Sequence, residues 1–442
     1  MMTKRARLRF VAAGLALATV ALFVACLDDS FEDGRFACDP AGAAACPPGL
    51  ACASDGRCRS GDVVTGPDVV VPDAPIDGGA PDAPLVSDAC AIATWTVSPD
   101  GRAPAAVTVT GDGRLFAGGA AGASAWVAEI DTCDGGVIRE RVFTPQGTVD
   151  PVIQGIRVTP TDVVASGVTD DSRKGIFLRI AKDDLAISGF RSFAGLGGYV
   201  GLDHIAMASD GAFVLGGVLD VFAGTQAGWV VHVGMSSTCT AQPGKSVGQL
   251  LAASSGEILA LTSEADPKAL ALRRISSTCV EVANQPLAFA SGVAGGTGGV
   301  GGDAASPVIF GTYGPTAMSN DWGLVSQLEG TTWVVAPKLD PNPGLVDIIQ
   351  RGIVIGDDLF VALLQNASLA GGTPTIYRYK LPITATSVPV SQTNAYEGSL
   401  LNVQSMASGL SDDDALYIAG TKPGKRDFGA ISRCRRSLGC VR

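Results

Sequence analysis

Histidine is a common residue in catalysis and metal binding, and the chain has only two, His204 and His232. A histidine-rich metal site is therefore excluded, and a Ser-His-Asp triad would have to use one of these two. His204 follows Asp203 at the head of a predicted strand, from which it could face a central channel. His232 falls in another strand of the same repeat. We favour structural roles for both, and we predict no catalytic residue and no metal site.

Three short motifs match nucleotide-binding or hydrolase patterns in their letters only. Residues 296–301 fit the dinucleotide fingerprint, but no helix follows to receive a pyrophosphate. Gly244, Lys245 and Ser246 would end a P-loop only if residue 239 were glycine, and it is Cys239. Residues 244–248 also fit the nucleophile elbow, which needs a strand-turn-helix in an α/β sheet. We therefore predict no cofactor.

Acidic residues suggest no catalytic pair either. Residues 319–323 partly resemble the sialidase Asp box, but the closing aromatic is missing and only one copy is present. The run 412–414 is predicted to be solvated charge at a turn. No pair of carboxylates for glycoside hydrolysis can be chosen from the remaining acidic residues. The net charge of -11 and the absence of a basic stripe argue against nucleic acid as a partner.

The elements that would carry any site are set by a repeat with a period near fifty residues. Successive first anchors, each hydrophobic, are 48, 50, 45, 50, 51 and 57 residues apart, and a second hydrophobic anchor follows each by 15 to 22 residues. The first anchors are Leu115, Val163, Phe213, Ile258, Val308, Leu359 and Leu416, and the second anchors are Ile130, Ile180, Val233, Ile275, Leu328, Leu381 and Cys434. Short β runs at this period are typical of propeller blades.

Residues 89–442 form the repeat region, and its 354 residues divide into seven units of about 51 each, enough for four strands. Turns such as Asp112-Gly113, Asp210-Gly211 and Ser255-Gly256 suit tight reversals between strands. Small residues after the first anchor, including Gly118 and Gly216, are expected to let neighbouring blades approach closely. The sequence therefore predicts an all-β chain with a seven-bladed β-propeller, and we expect a monomer.

One repeat carries a family resemblance. Residues 209–217, followed by 228–231, resemble bacterial extracellular propeller repeats, in which an Asp-Gly turn and a hydrophobic strand precede Gly and an aromatic strand. The resemblance extends over most of residues 100–434. It implies an exported propeller but no particular activity, because this fold carries binders, hydrolases and lyases.

The N-terminus predicts export. Lys4, Arg5, Arg7 and Arg9 precede an apolar run over residues 10–25 that is short for a transmembrane helix. Residues 23–26 resemble a bacterial lipoprotein box, which implies a signal peptide at 1–25, a lipid on Cys26 and a membrane as partner. By analogy with enteric lipoproteins, Leu27 in place of aspartate favours the outer membrane of the cell envelope.

Ten further cysteines remain after Cys26, an even number in an exported chain, so disulfides are expected. They are Cys38, Cys46, Cys52, Cys58, Cys90, Cys133, Cys239, Cys279, Cys434 and Cys440. The first four lie in a small module at 26–58, whose connectivity the sequence leaves open. Residues 59–88, with six Asp and five Pro against one Arg, predict a disordered, extended linker.

Ring closure gives a further expectation. Residues 92–97 precede the first repeat without a partner strand of their own, and they are predicted to pair with the last blade. That arrangement would bring Cys90 near Cys434 or Cys440. Cys239 and Cys279 occupy matching places in neighbouring repeats and are the second predicted pair.

Function is predicted only by class. A binding or scaffold module, with an unknown protein or glycan ligand at the channel mouth or on the blade loops, is the leading interpretation. The alternatives are a lyase or hydrolase acting on an extracellular polysaccharide, and a purely structural envelope protein. Converging Asp, Glu, Arg or His side chains in one funnel would favour the enzyme, and a channel lined by Gly, Ala and Ser would favour the binder.

Overall fold

The computed structural model describes residues 51–52, 58–59 and 94–437, with internal gaps. The gaps are 170–173, 195–199, 209–210, 223–224, 235–237, 242–243, 245, 264–269, 288–292, 315–321, 342, 344–345, 369–370, 396–401, 410–413 and 423–424. The predicted signal peptide, Cys26, most of the predicted small module and the predicted linker lie outside the described residues. Of the module, β1 (Ala51–Cys52) pairs antiparallel with β2 (Cys58–Arg59), and the backbone of Cys52 lies opposite that of Cys58.

The described chain is all-β and contains no helix. Accordingly, within this part of the chain no helix has the length and apolar character needed to span a membrane. The repeat region begins with the short strand β3 (Trp95–Val97), and the strands of the first, second and third sheets follow it. They are β4 (Ala103–Val109), β5 (Leu115–Ala121), β6 (Ser124–Ile130), β7 (Val137–Phe143), β8 (Val152–Val158), β9 (Asp162–Thr169), β10 (Lys174–Ala181), β11 (Ile187–Ala194), β12 (Val200–Met207), β13 (Phe213–Phe222), β14 (Thr225–Val233) and β15 (Thr238–Ala241).

The second part of the chain forms a double sheet (β16–β23), a penultimate sheet (β24–β27) and a last sheet, in which β28, β29 and β30 are joined by β3. Their strands are β16 (Ser246–Ala252), β17 (Ile258–Ser263), β18 (Leu270–Ile275), β19 (Glu281–Leu287), β20 (Val293–Asp303), β21 (Ser306–Gly314), β22 (Trp322–Glu329), β23 (Thr332–Val335), β24 (Ile348–Ile355), β25 (Asp358–Ser368), β26 (Gly371–Lys380), β27 (Ser391–Asn394), β28 (Asn402–Ser408), β29 (Ala415–Thr421) and β30 (Gly429–Arg435). All pairings but one in these sheets are antiparallel.

The sheets are arranged as a β-propeller. The strands β4, β8, β12, β16, β20, β24 and β28 lie innermost, and each packs against the next in this order. Finally β28 packs against β4, which closes the ring around a central channel.

Five of the sheets are separate four-stranded blades, where the sequence predicted seven separate blades. The difference lies in the double sheet, whose two four-stranded halves are joined by one parallel bridge between Gln249 of β16 and Gly299 of β20. The bridge depends on missing side chains: a Cβ on Gly299 would lie 2.4 Å from the Cβ of Gln249, and one on Gly248 would lie 2.2 Å from the oxygen of Gly298. The glycine-rich inner strand therefore lets two inner edges meet.

The predicted anchors fix the register of most sheets. All first anchors lie in second strands, and first and second anchors are cross-strand partners in five of the repeats. In the other two repeats the first anchor pairs with a residue that the hydrophobic pattern does not mark, since Val308 pairs with Gln327 and Leu359 pairs with Tyr379. Both partners are buried, and the side-chain amide of Gln327 is hydrogen-bonded in the core.

The predicted closing strand is confirmed for Trp95–Val97, which pairs with β30 as the outermost strand of the last sheet. The indole Nε1 of Trp95 also donates to the carbonyl oxygen of Thr132 in the first sheet at 3.1 Å. Its ring lies 6.1 Å from that of Tyr417. The same short strand therefore completes the last sheet and attaches it to the first.

The hydrophobic core lies between adjacent sheets. Phe116 of the first sheet, for example, is clustered with Ile153 and Ile176 of the second. The predicted role of small residues is confirmed at Gly118, where a Cβ would lie 2.6 Å from the side chain of Ile153. The Asp-Gly turn is confirmed at Gly113, whose φ of +84° favours glycine.

Candidate functional site

Bulges in the inner strands shape the wall of the central channel. The pairing of the first with the second strand skips one residue in four sheets, and the skipped residue is Ala105 in the first sheet and Gln154, Gln350 or Gln404 in the others. In β16 a two-residue skip contains Gln249. A β-bulge bends its strand and redirects a side chain, and such bulges are frequent next to binding sites. Four glutamines thus occur at matching bulges of the inner ring.

The narrow part of the channel has a volume of about 50 Å³. Its wall includes His204, Arg157 and Arg351, together with Gln154, Gln249, Gln404 and Ser405. His204 therefore faces the channel region, as its place at the head of an inner strand suggested. His232 is buried in β14 and lines neither this cavity nor the larger one described below.

Arg351 joins two sheets at this level. Its Nε donates to the carbonyl oxygen of Gln404 at 2.6 Å, and its Nη1 donates to that of Gln350 at 2.8 Å. The side chain is buried, with 8% of its surface exposed. Since these bonds go to backbone oxygens of β28 and β24, Arg351 links the last and penultimate sheets.

Arg157 is placed differently. Its Nε donates to the carbonyl oxygen of Ile205 at 3.2 Å, which links β8 to β12, but the residue is exposed to the channel. Neither Nη atom bonds to the protein in the described part of the chain, and no carboxylate there pairs with the guanidinium. Burial within the ring of strands lowers the pKa of Arg157 from its ordinary value. The group nevertheless stays charged, because arginine does not lose its proton in proteins.

A larger cavity of about 620 Å³ shares Arg157, Gln249 and Leu250 with the narrow part. It opens at the face of the disc that carries the turns between first and second strands, where Asp303 and Gly356 lie. The rest of its wall consists of the apolar residues Leu251, Val300, Val308, Ile353, Val354 and Leu381, the glycines 301 and 302, and the polar Ser306 and Gln327.

Of the other polar side chains of this wall, Gln327, Ser306 and Asp303 already take part in hydrogen bonds, whereas none is formed by the side chain of Gln249 in the described part of the chain. Gln327 donates from Nε2 to Ser306 Oγ at 3.1 Å and accepts at Oε1 from the amide of Ile383 at 2.7 Å. Ser306 in turn donates from Oγ to the carbonyl oxygen of Leu328 at 2.7 Å. Asp303 accepts at Oδ1 from the amide of Ala305 at 2.9 Å. Arg157 is therefore the charged group of the cavity with the most unused hydrogen-bonding capacity.

The unused donors of Arg157 can hold an anion at this cavity. Among the described wall residues of the larger cavity Asp303 is the single carboxylate, and Ser306 has a glutamine and a carbonyl as partners rather than a base. No group of three or more His, Cys, Asp or Glu side chains that could hold a metal ion occurs in the described residues.

The motif-like runs do not form sites in the described structure. Residues 296–301 lie inside β20, so the fingerprint-like run is strand rather than the start of a helix. Residues 319–321 of the Asp box-like run and residues 412–413 lie outside the described residues. Asp414 was predicted to be solvated, but its carboxylate lies 3.8 Å from Arg435 and 4.0 Å from Arg436. It also accepts from the amide of Ser437 at 2.9 Å.

Disulfides lie at the rim rather than at the channel. Cys239 of β15 is bonded to Cys279 near the end of the turn between β18 and β19, with a Cα–Cα distance of 5.9 Å, so the link joins the third sheet to the double sheet. Cys133 and Cys434 are also disulfide-bonded. Cys38, Cys46, Cys90 and Cys440 lie outside the described residues, so the predicted link from Cys90 stays a prediction.

Sequence reasoning missed the arginines and glutamines of the channel. A signal was present, since Gln154, Gln249 and Gln350 each stand nine residues before the first anchor of their repeat. A polar residue that recurs at the same position of the inner strands is not expected to lie in a packed core, and it therefore indicates a position that faces the channel. No comparable signal marks Arg157, because arginine stands at that place in a single repeat.

Comparisons with known proteins show the fold alone. No family model matches the chain, and no curated protein matches it either. Among solved structures it is similar to a streptogramin B lyase, with 13% identity over 77% of this chain and 97% of that one and a TM-score of 0.47. It is also similar to hydrazine synthase of Kuenenia stuttgartiensis, with 13% identity over the same shares and a TM-score of 0.53. The propeller-like fold of this chain thus agrees with that of a distant structural neighbour.

Proposed function

We propose that this chain is an exported β-propeller, anchored to the outer membrane through a lipid on Cys26, that acts as a monomeric binding module. The signal-like residues 1–25, the cysteine that follows and the acidic linker support the anchored state. The two halves of the double sheet are its fourth and fifth blades, which gives seven in all. The closed ring of inner strands supports that count.

One observation carries the binding function. Arg157 presents a charged guanidinium, with unused donors, to a cavity of about 620 Å³ that seven apolar side chains also line. Cavities of roughly 300–1,000 Å³ with a few polar groups are the usual form of small-molecule sites. The ligand site is therefore placed in the channel, on the face with the turns between first and second strands.

An enzyme acting on extracellular polysaccharide is the alternative that a specific observation favours. His204 and Arg351 line the same narrow channel, and converging side chains of this kind were expected of an enzyme. A lyase or hydrolase would also need an acid and a base that flank the bond, and the described wall of the larger cavity offers Asp303 alone. The purely structural role is less favoured, since it does not account for an unpaired cation facing a cavity.

Two measurements on the full-length protein test the proposal. The first is labelling with radioactive palmitate in a bacterial host, in which Cys26→Ala should lose both the label and membrane association, while Cys38→Ala keeps them. Retention of the label by Cys26→Ala would contradict the lipid anchor.

The second measurement compares the thermal midpoint of unfolding with and without small organic acids, alcohols, neutral oligosaccharides and oligogalacturonate. A rise with at least one class is expected, whereas shortening of the oligosaccharides would favour the enzyme.

A further inference from the structure

We infer that the channel cavity binds an organic anion with an apolar body, whose charged group pairs with Arg157. The inference rests on the proposed binding function and specifies the ligand class. It combines three features of the cavity: an unpaired guanidinium, hydrogen bonds that already engage Ser306, Gln327 and one oxygen of Asp303, and apolar side chains along the wall.

The charge of Arg157 requires a partner that the described protein does not supply. A guanidinium has five N–H donors in a planar fork, and here one of them, at Nε, is used on the oxygen of Ile205. The remaining donors match the two oxygens of a carboxylate, a sulfonate or a phosphate. Asp303 lines the same cavity but makes no ion pair with Arg157, and one of its oxygens is held by Ala305. An anion entering the cavity would therefore meet unused donors.

The remaining wall selects the body of the ligand. Leu251, Val300, Ile353 and Val354 present apolar surface, and the polar Ser306 and Gln327 are bonded to each other and to backbone groups. A neutral sugar would lose hydrogen bonds to water here and find few replacements, which is costly for buried hydroxyls. An aryl or alkyl chain loses no such bonds and gains from leaving water. The wall therefore favours an amphiphilic anion over a neutral glycan.

The test uses two probes that differ in their charged group, 4-phenylbutyrate and 4-phenyl-1-butanol. Binding of each to the full-length protein is measured by isothermal titration calorimetry at low chloride concentration. We expect phenylbutyrate to bind at least about tenfold more tightly than the alcohol, because a charge-assisted pair adds to the shared apolar contact. Arg157→Gln should remove that advantage and leave the affinity for the alcohol unchanged, and Arg157→Lys should keep part of it.

Arg141→Gln is the matched control, since Arg141 is also exposed and also donates to a single carbonyl oxygen, that of Leu185 at 3.3 Å. It removes the same charge from the outer strand β7 and should not alter either affinity. Thermal midpoints of all variants show whether the fold is kept. Equal affinities for the two probes, insensitive to Arg157→Gln, would overturn the anion inference but leave a binding cavity. Failure of both probes to bind would contradict the cavity as a ligand site and thus the proposed function.

Discussion

Arg378 and Asp358 meet in a two-point contact, with Nε to Oδ1 at 2.9 Å and Nη2 to Oδ2 at 2.8 Å. Asp358 is the residue immediately before the first anchor Leu359, and Arg378 lies on the neighbouring strand β26. From the same side chain, Nη1 reaches the carbonyl oxygen of Arg436 in the last sheet at 3.4 Å. The pair therefore stabilises one sheet internally and also attaches it to the next.

The same pairing recurs in three other repeats. The residue before the first anchor and a residue of the third strand carry opposite charges in each. The pairs are Arg114 with Glu129, Asp162 with Arg179, and Glu257 with Arg274. Arg114 and Arg274 also donate to carbonyl oxygens of the following sheet or half-sheet, at Lys182 and Ala304. These ion pairs thus stand in a ring on the turn face of the disc.

Loss of one such pair should be measurable. We expect Asp358→Asn to lower the free energy of unfolding by about 1–2 kcal/mol, since the two side chains are largely shielded and the contact is bidentate. Denaturant unfolding of Asp358→Asn, Arg378→Gln and the double variant gives the coupling between them. Asp427→Asn, at an exposed aspartate, is the control and should have no effect. A coupling indistinguishable from zero would show that the pair does not contribute.

Acid should destabilise the propeller through the same carboxylates. Burial raises the pKa of Asp358, but hydrogen bonds from Arg378 and Lys380 outweigh it, so the pKa is lowered on balance. In the same way Arg114 and Arg139 lower the pKa of Glu129 against burial. The unfolded state then binds more protons than the native state, so the stabilisation is complete above the unfolded values of about 4 and is lost as the pH falls through the lower native values.

The measurement is the free energy of unfolding by denaturant between pH 7 and pH 3. A fall below about pH 4–5 is expected, and it should be shallower in Asp358→Asn because one of the shifted carboxylates is gone. An unchanged stability at pH 3 would contradict the role given to these pairs.

The closing strand depends on one aromatic side chain. Trp95→Ala should cost about 3–4 kcal/mol, because the indole is 8% exposed and packs between the last and first sheets. Amide exchange of β30 should speed up in this variant, while that of β10 in the second sheet stays slow. Thr96→Ala removes only the hydrogen bond to Ser432 at 2.8 Å and is the milder control. Equal effects of the two substitutions would contradict the role of the indole.

The rim disulfide should stabilise the fold by restricting the unfolded chain. For a sequence separation of 40 residues, loop entropy predicts a contribution of about 4 kcal/mol, so Cys239→Ser with Cys279→Ser should lose up to that amount. Denaturant unfolding of the double variant measures it, with Ser277→Ala as the control. Equal stability of the variant and the parent chain would contradict a structural role for the link.

The anchors and the turn at Gly113 could be predicted because each is a local pattern that recurs along the chain. The closing strand could be predicted because residues 92–97 have no partner strand next to them in sequence. The pairing of Leu359 with Tyr379 was not predicted, because the length of the intervening loop rather than hydrophobicity sets which residue of β26 lies opposite Leu359. The double sheet depends on a close approach of Gln249 in β16 to Gly299 in β20, two strands that are distant in sequence and meet only in the closed ring. Arg157 could not be predicted as a binding residue, because the cavity that it faces is formed by residues of several sheets.

Closure by a strand from the opposite end of the repeat region has a consequence for biosynthesis. Thr96 and Ser432, whose side chains are hydrogen-bonded, are 336 residues apart in sequence. Joining ends at that distance costs about 5 kcal/mol in chain entropy, up to a constant, and it cannot begin before β30 has left the ribosome. Stalled translation products, which lack β30, would therefore leave β3 without its partner strand. Chains that lack residues 95–97 would instead present the uncapped outer edge of β30, at which another copy could pair.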